Sequence, residues 1–216
     1  MMQDAPPKMV MVQDEPRHHP VFHQGPLRIL DVQIPPGEVT LFHTHDTAIL
    51  YVPISVSPTD TQILGQEWLG VKPTDRSRFE GLVVASDTSY ASRPLTHRVK
   101  NVGERLFRLI AITNGSAGGG PQSGAPPGTV VHASSWYTAA RAVVEPHVAL
   151  EWHTAGMPTV LVLPEAGRVT VEGDQLEHSR LDGPGSWSYV PRGGRYRIVN
   201  EGQAPVAVVI VETNQP

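Results

Sequence analysis

From about residue 21 onward, apolar and polar positions trade places in short runs. A period of two is the signature of β-strands, whose successive side chains point to opposite faces. The runs fall at 27–34, 39–45, 48–56, 61–68, 81–86, 97–102 and 106–113. Pro35-Pro36-Gly37 and Ser57-Pro58-Thr59-Asp60 supply turn chemistry between them. At 114–129 the alternation stops, and the segment NGSAGGGPQSGAPPGT reads as a flexible or partly extended linker. Runs then resume at 139–144, 148–153, 159–163, 168–172, 175–181, 186–190, 195–200 and 205–212. Residues 1–20 are polar, Pro-containing and aperiodic, and read as a flexible arm. The pattern predicts an all-β chain with domains at 21–114 and 130–216, a linker at 115–129 and the arm in front.

The two halves repeat each other. Placing His43 on His153 without a gap sets Pro36 on Pro146, Thr44 on Thr154 and Val52 on Val162. A 99-residue offset then sets Tyr90 on Tyr189, Arg98 on Arg197, Asn101 on Asn200 and Gly103 on Gly202. The halves close alike, with Ile112-Thr113-Asn114 against Glu212-Thr213-Asn214. Order and spacing together point to a duplicated domain.

Composition narrows the chemistry. The 21 prolines and 20 glycines suit many short strands joined by turns. The net charge of −4 and the lack of a dense Lys/Arg run argue against nucleic acid or an anionic membrane surface as partner. No apolar stretch approaches the ~18 residues a membrane span needs, and the N-terminus reads as carrying no signal peptide. With no cysteine, the chain has no disulfides, thiolate ligands or thiol nucleophiles.

The chemistry-bearing residues are histidines. His43 and His45 lie two apart in an alternating run, so both imidazoles project from one face of a strand. His97 opens another strand-like stretch, and a neighbouring strand would bring it in as a third ligand. Three imidazoles on one face leave open coordination positions, as catalytic metals require. Asp46 follows His45 as a candidate to orient an imidazole or act as a base, with plain solvent exposure as the alternative. Tyr51 shares the parity of residues 43 and 45 and is expected to line the same interior. Arg108 has no assigned facing, and Glu67 and Trp68 sit in a long insertion before His97 that forms a lid, an edge hairpin or a surface loop. His18, His19 and His23 read as solvated tail residues, and His132, His147 and His178 as surface residues. Asn101 and Asn200 read as turn-closing polar residues.

These residues resemble the cupin family. Its first motif is Gly, five residues, His, one residue, His, three or four residues, Glu; here Gly37, His43 and His45 match, while Ile49 and Leu50 stand where the Glu is expected. Its second motif is Gly, five residues, Pro, one residue, Gly, two residues, His, three residues, Asn. The first half keeps His97 and Asn101 of it, and the second keeps Gly185, Pro191, Gly193 and Asn200, with Tyr196 in place of His. In the second half His153 remains, while Ala155 and Tyr196 replace the other two ligands, so Trp152 and Tyr196 are expected to fill that barrel. The resemblance implies two tandem cupin barrels, that is, jelly rolls or double-stranded β-helices. The first would hold a metal on His43, His45 and His97, and the two would pack as an internal pseudo-dimer, with a further homodimer as an option.

A three-His cupin site is similar to those of non-haem iron dioxygenases. It implies a divalent metal, iron first, with manganese, nickel, copper or zinc as alternatives, because imidazole suits several. Three neutral ligands leave the ion's +2 charge intact, which favours a small anionic chelating substrate such as an enol, diketone or carboxylate. The leading expectation is a dioxygenase, with Asp46 and Tyr51 as candidate catalytic residues. The alternatives are a redox-inert isomerase or lyase, which needs a base beside the metal, and a binding cupin without turnover.

Overall fold

The computed structural model describes residues 7–120, 126–154, 157–173, 176 and 178–214. The first half contains β1 (Met9–Met11), β2 (His18–Gln24), β3 (Leu27–Ile34), β4 (Phe42–His45), β5 (Ala48–Ser55), β6 (Thr59–Ile63), β7 (Ala85–Asp87), β8 (Leu95–Asn101) and β9 (Phe107–Asn114). The second contains β10 (Thr129–Ala133), β11 (Tyr137–Val144), β12 (Ala149–His153), β13 (Thr159–Val162), β14 (Arg168–Gly173), β15 (Arg180–Asp182), β16 (Trp187–Val190), β17 (Arg195–Val199) and β18 (Val206–Thr213).

Each half builds two sheets, and the orders correspond. The five-stranded sheets run β2-β3-β9-β5-β7 and β10-β11-β18-β13-β16. The four-stranded sheets run β1-β4-β8-β6 and β12-β17-β14-β15. In each half the two sheets face each other across an apolar interior, giving two tandem jelly-roll barrels. Leu30, Val32, Ile34, Ile49, Tyr51, Phe79 and Phe107 are among those that fill the first interior. Val144, Leu161, Val171, Tyr196, Ile198 and Ile210 are among those that fill the second.

The inner strands of the five-stranded sheets, such as β5, β9, β13 and β18, are buried on both faces, which is why their apolar runs are nearly continuous. Alternate residues of β3, β5 and β9 point away from the first interior: Leu27, Ile29, Leu50, Val52, Ile110 and Ile112 meet Val160, Val162, Val209 and Val211 of the second half in one shared layer. Tyr137 is fully buried there, and the single proton of its hydroxyl is shared between Ala48 O at 2.8 Å and Ile112 O at 2.9 Å. Arg108 grips Asp31 with two bonds of 2.9 Å and reaches Pro184 O of the second half at 3.2 Å.

From residue 7 onward the N-terminal segment differs from the expected flexible arm, whose residues 1–6 lie outside the described residues. β1 runs parallel to β4, with Val10 opposite His43, and β2 pairs with β3 from His18 onward. Backbone pairing and the buried Val12, Glu15 and His18 hold it down. Its polarity had suggested an arm, but these residues turn their few apolar and ring groups inward.

The asparagine reading holds in matched geometry. Asn101 Nδ2 donates to Ile34 O (2.8 Å) and Arg105 O (2.7 Å), and Asn200 Nδ2 to Val144 O (2.8 Å) and Ala204 O (2.8 Å). Each side-chain carbonyl accepts the N–H two residues on, at Gly103 and Gly202. The insertion before His97 is no plain surface loop, since it buries Ser77 and places Phe79 in the first core.

Candidate metal centre

His43 lies directly opposite His97 on β4 and β8, and His45 stands two residues along β4 on the same face. Their three ligand atoms lie within 4.8 Å of one another, and all three residues are buried. His45 Nε2 and His97 Nε2 are 3.0 Å apart. That separation suits two imidazoles sharing one ion, whose metal–nitrogen bonds are about 2.0–2.1 Å for zinc. The Nδ1 of His45 is buried without a hydrogen-bond partner.

A bulge sets up this geometry. Val39 bridges Lys100, yet His43 pairs with His97, so β4 carries one more residue than β8 over the interval. The extra residue falls at Leu41-Phe42. Leu41 O accepts from His43 Nδ1 at 3.0 Å, which fixes the tautomer that leaves Nε2 free. Leu41 N–H, freed from the ladder, donates to the buried Glu15 carboxylate at 3.1 Å.

The same bulge corrects the gap-free repeat alignment. In the upstream turn it holds: Gly37 N–H donates to Asn101 O at 2.9 Å as His147 N–H donates to Asn200 O at 2.8 Å. Both residues have positive φ, 77° and 60°, a conformation glycine adopts freely and histidine rarely. Beyond the bulge the register moves by one. Trp152 pairs with Tyr196 as His43 pairs with His97, so Trp152, not His153, stands in the place of His43, and Thr154 in that of His45. His153 points outward and is exposed, while Ala155 lies outside the described residues. Tyr90 and Tyr189 are not equivalent either: Tyr90 sits in a 3-10 turn against His45, and Tyr189 lies on β16 facing the shared layer.

Burial sets the charge state of the trio. It pushes His43 and His97 down to about 3, with nearby imidazoles adding to the effect. Burial, then His97, holds His45 well below the ordinary histidine range. All three are neutral at pH 7, the form that binds metal. The trio lines a narrow cavity of about 30 Å³ with Ile49, Tyr51, Arg78 and Phe107. Among the described residues that line it, none is acidic.

Of the other candidates, Tyr51 reaches the cavity, but burial drives its hydroxyl far above the ordinary tyrosine range, so it can donate a proton bond and cannot serve as a base. Asp46 is exposed in the turn after β4, and Glu67 is exposed in the insertion; neither lines the cavity. Four residues escaped the sequence reading. His18, expected in solvent, is 4% exposed and lines the cavity, whereas His19 and His23 are exposed. Tyr90 stacks 4.9 Å from His45, Arg78 is the cation at the cavity wall, and Glu15 holds the bulge. None lies at a recognisable ligand spacing, so no sequence signal marked them. His132, expected at the surface, is half-buried and meets Ser86 Oγ of the first half at 3.2 Å.

No family model and no curated protein sequence matches this chain. Solved structures do. The chain is similar to AerE from Microcystis aeruginosa at 9% identity and a TM-score of 0.58, covering 93% of this chain and 99% of that one. It is similar to a variant of the salicylate 1,2-dioxygenase from Pseudoaminobacter salicylatoxidans at 11% identity and a TM-score of 0.57, covering 86% and 71%. A Bacillus subtilis oxalate decarboxylase, described with Mn(II) centres, matches at 12% identity and a TM-score of 0.54, covering 95% and 77%. At these identities the likeness is one of fold: the chain shares their jelly-roll architecture, and its first barrel holds a three-histidine group.

Proposed function

We propose that this chain is a metal-dependent cupin enzyme, a non-haem dioxygenase acting on a small anionic oxygenated substrate. The observation that carries the reading is the trio itself: three buried, neutral imidazoles converge on one cavity with no acidic group in its described lining. A divalent ion bound there, iron first among the candidates, would supply Lewis acidity and a centre for dioxygen chemistry. His43, His45 and His97 would hold it. The ion's charge would stay uncompensated, and Arg78 adds a second positive group at the wall. Both favour a substrate that binds as an enolate, diketonate or carboxylate. Tyr51 would orient it by hydrogen bonding, while Phe79 and the barrel wall exclude water.

A redox-inert isomerase or lyase would need a base beside the substrate. Asp46 and Glu67 are not at the cavity, and Tyr51 holds its proton too firmly. Among the described lining residues only His18, the imidazole outside the trio, could take that part. The second barrel would serve as an internal dimer partner, covering the first barrel's outer sheet through the shared layer.

The test is metal content by elemental mass spectrometry on tag-free protein, followed by oxygen uptake with candidate enols and hydroxy acids. About one iron, manganese, nickel or copper per chain, lost in His97→Ala, with substrate-dependent O2 consumption, is the expected result. Zinc with O2-independent turnover would transfer the site to the redox-inert class. No metal after reconstitution would leave a binding cupin without turnover.

A further inference from the structure

One buried imidazole of the first barrel has no part in the trio. His18 opens β2, pairs with Val32 and turns its ring into the barrel interior. It reaches that position because β1 and the following turn fold the N-terminal segment over the edge of β4.

We infer that His18 is a fourth imidazole ligand of the same centre, delivered by this N-terminal strap; the inference rests on the three-histidine reading of the site. Three observations carry it. The ring lies 4.6 Å from that of His43, a contact to this one member of the trio, whose own rings lie 4.7, 4.9 and 5.1 Å from each other. Its Nδ1 donates to the buried Val12 carbonyl at 2.9 Å, as His43 donates to Leu41, so the neutral ring keeps its lone pair on Nε2. It lines the same cavity as His43, His45 and His97.

The ligand set also has a place for it. The family's motif supplies a carboxylate from the strand after the paired histidines, and here that strand presents Ile49, whose side chain lines the cavity. His18 enters from the opposite edge, beside His43. It stands on the flank of the trio, outside the 4.8 Å that unites the other three ligand atoms, and a shared ion would have to draw its Nε2 in past His43. A fourth neutral donor leaves the ion's charge unchanged but reduces the open positions of a six-coordinate ion from three to two.

The test is pulsed EPR on the Cu(II)-loaded full chain, which counts coordinated imidazoles through their remote nitrogens. Four in the wild type and three in His18→Gln, whose amide can still donate to Val12 O, would establish the inference. Chelator competition should then show at least a tenfold weaker hold on copper in the variant. Three imidazoles in both proteins would overturn the inference and leave the trio standing. A chain that takes up no copper would overturn the trio and the inference together. The wild-type count decides the matter by itself if the variant does not fold.

Discussion

At pH 7 the imidazoles of His18, His43, His45 and His97 are neutral, because burial denies the charged form its solvation. The unfolded chain has no such penalty, and its histidines take up protons near the ordinary value of 6.5. Between pH 6.5 and the folded-state values of about 3 to 4, the unfolded state therefore holds more protons. Stability is fully present above pH 6.5 and is lost as pH falls through this window. Each histidine contributes a slope of about 1.4 kcal/mol per pH unit in that window. Urea unfolding of metal-free protein should be flat from pH 8 to 7 and weaken steeply below 6.5. A flat profile down to pH 5 would mean that the rings are solvated or already charged. Protons compete with metal for the same nitrogens, so metal affinity should fall in the same direction.

At the scale of the element, the strap and the bulge are one device. The extra residue in β4 turns Leu41 O toward His43 and leaves Leu41 N–H without a ladder partner. Glu15 supplies that partner, and its carboxylate also accepts the Arg17 backbone N–H at 2.6 Å. Losing such outer partners typically costs 10–100-fold in metal affinity. Glu15→Gln keeps the shape and one acceptor, so its affinity should fall by about tenfold in chelator competition while the thermal transition survives. Unchanged affinity would show that the bulge holds its shape without the Glu15 carboxylate. The same element shows where the sequence stops being legible. His43, His45 and His97 were readable because ligand spacing on strands is a local, period-two property. The bulge was not, since only cross-strand pairing reveals one extra residue, and a gap-free alignment placed His43 on His153. His18 was hidden for a related reason: its segment lacks alternation because β1 is only three residues long and packs through Val12, Glu15 and His18 rather than one apolar face.

At the scale of the molecule, the duplication divides labour. The second barrel keeps the turn frame and fills the metal position with bulk, since Trp152 and Tyr196 stand where His43 and His97 do. Its other contribution is the shared layer, a contact made by the outward faces of two five-stranded sheets. Such a layer couples the halves energetically, because neither outer face can meet water without exposing its own core-like apolar side chains. Leu50 is fully buried within it, and removing its side chain should cost about 2–5 kcal/mol. Three of the four tryptophans, Trp136, Trp152 and Trp187, lie in the second half. Trp152 packs against the second interior, while Trp136 and Trp187 border the shared layer, so tryptophan fluorescence reports on the second half and its docking face, whereas Leu50 belongs to the first half. If the layer joins the barrels into one folding unit, Leu50→Ala should move the whole fluorescence transition to lower denaturant with its slope unchanged. A fluorescence transition that stays in place while circular dichroism splits into two steps would mean that the barrels fold separately and only dock. The second barrel would then be dispensable to the stability of the metal-binding one.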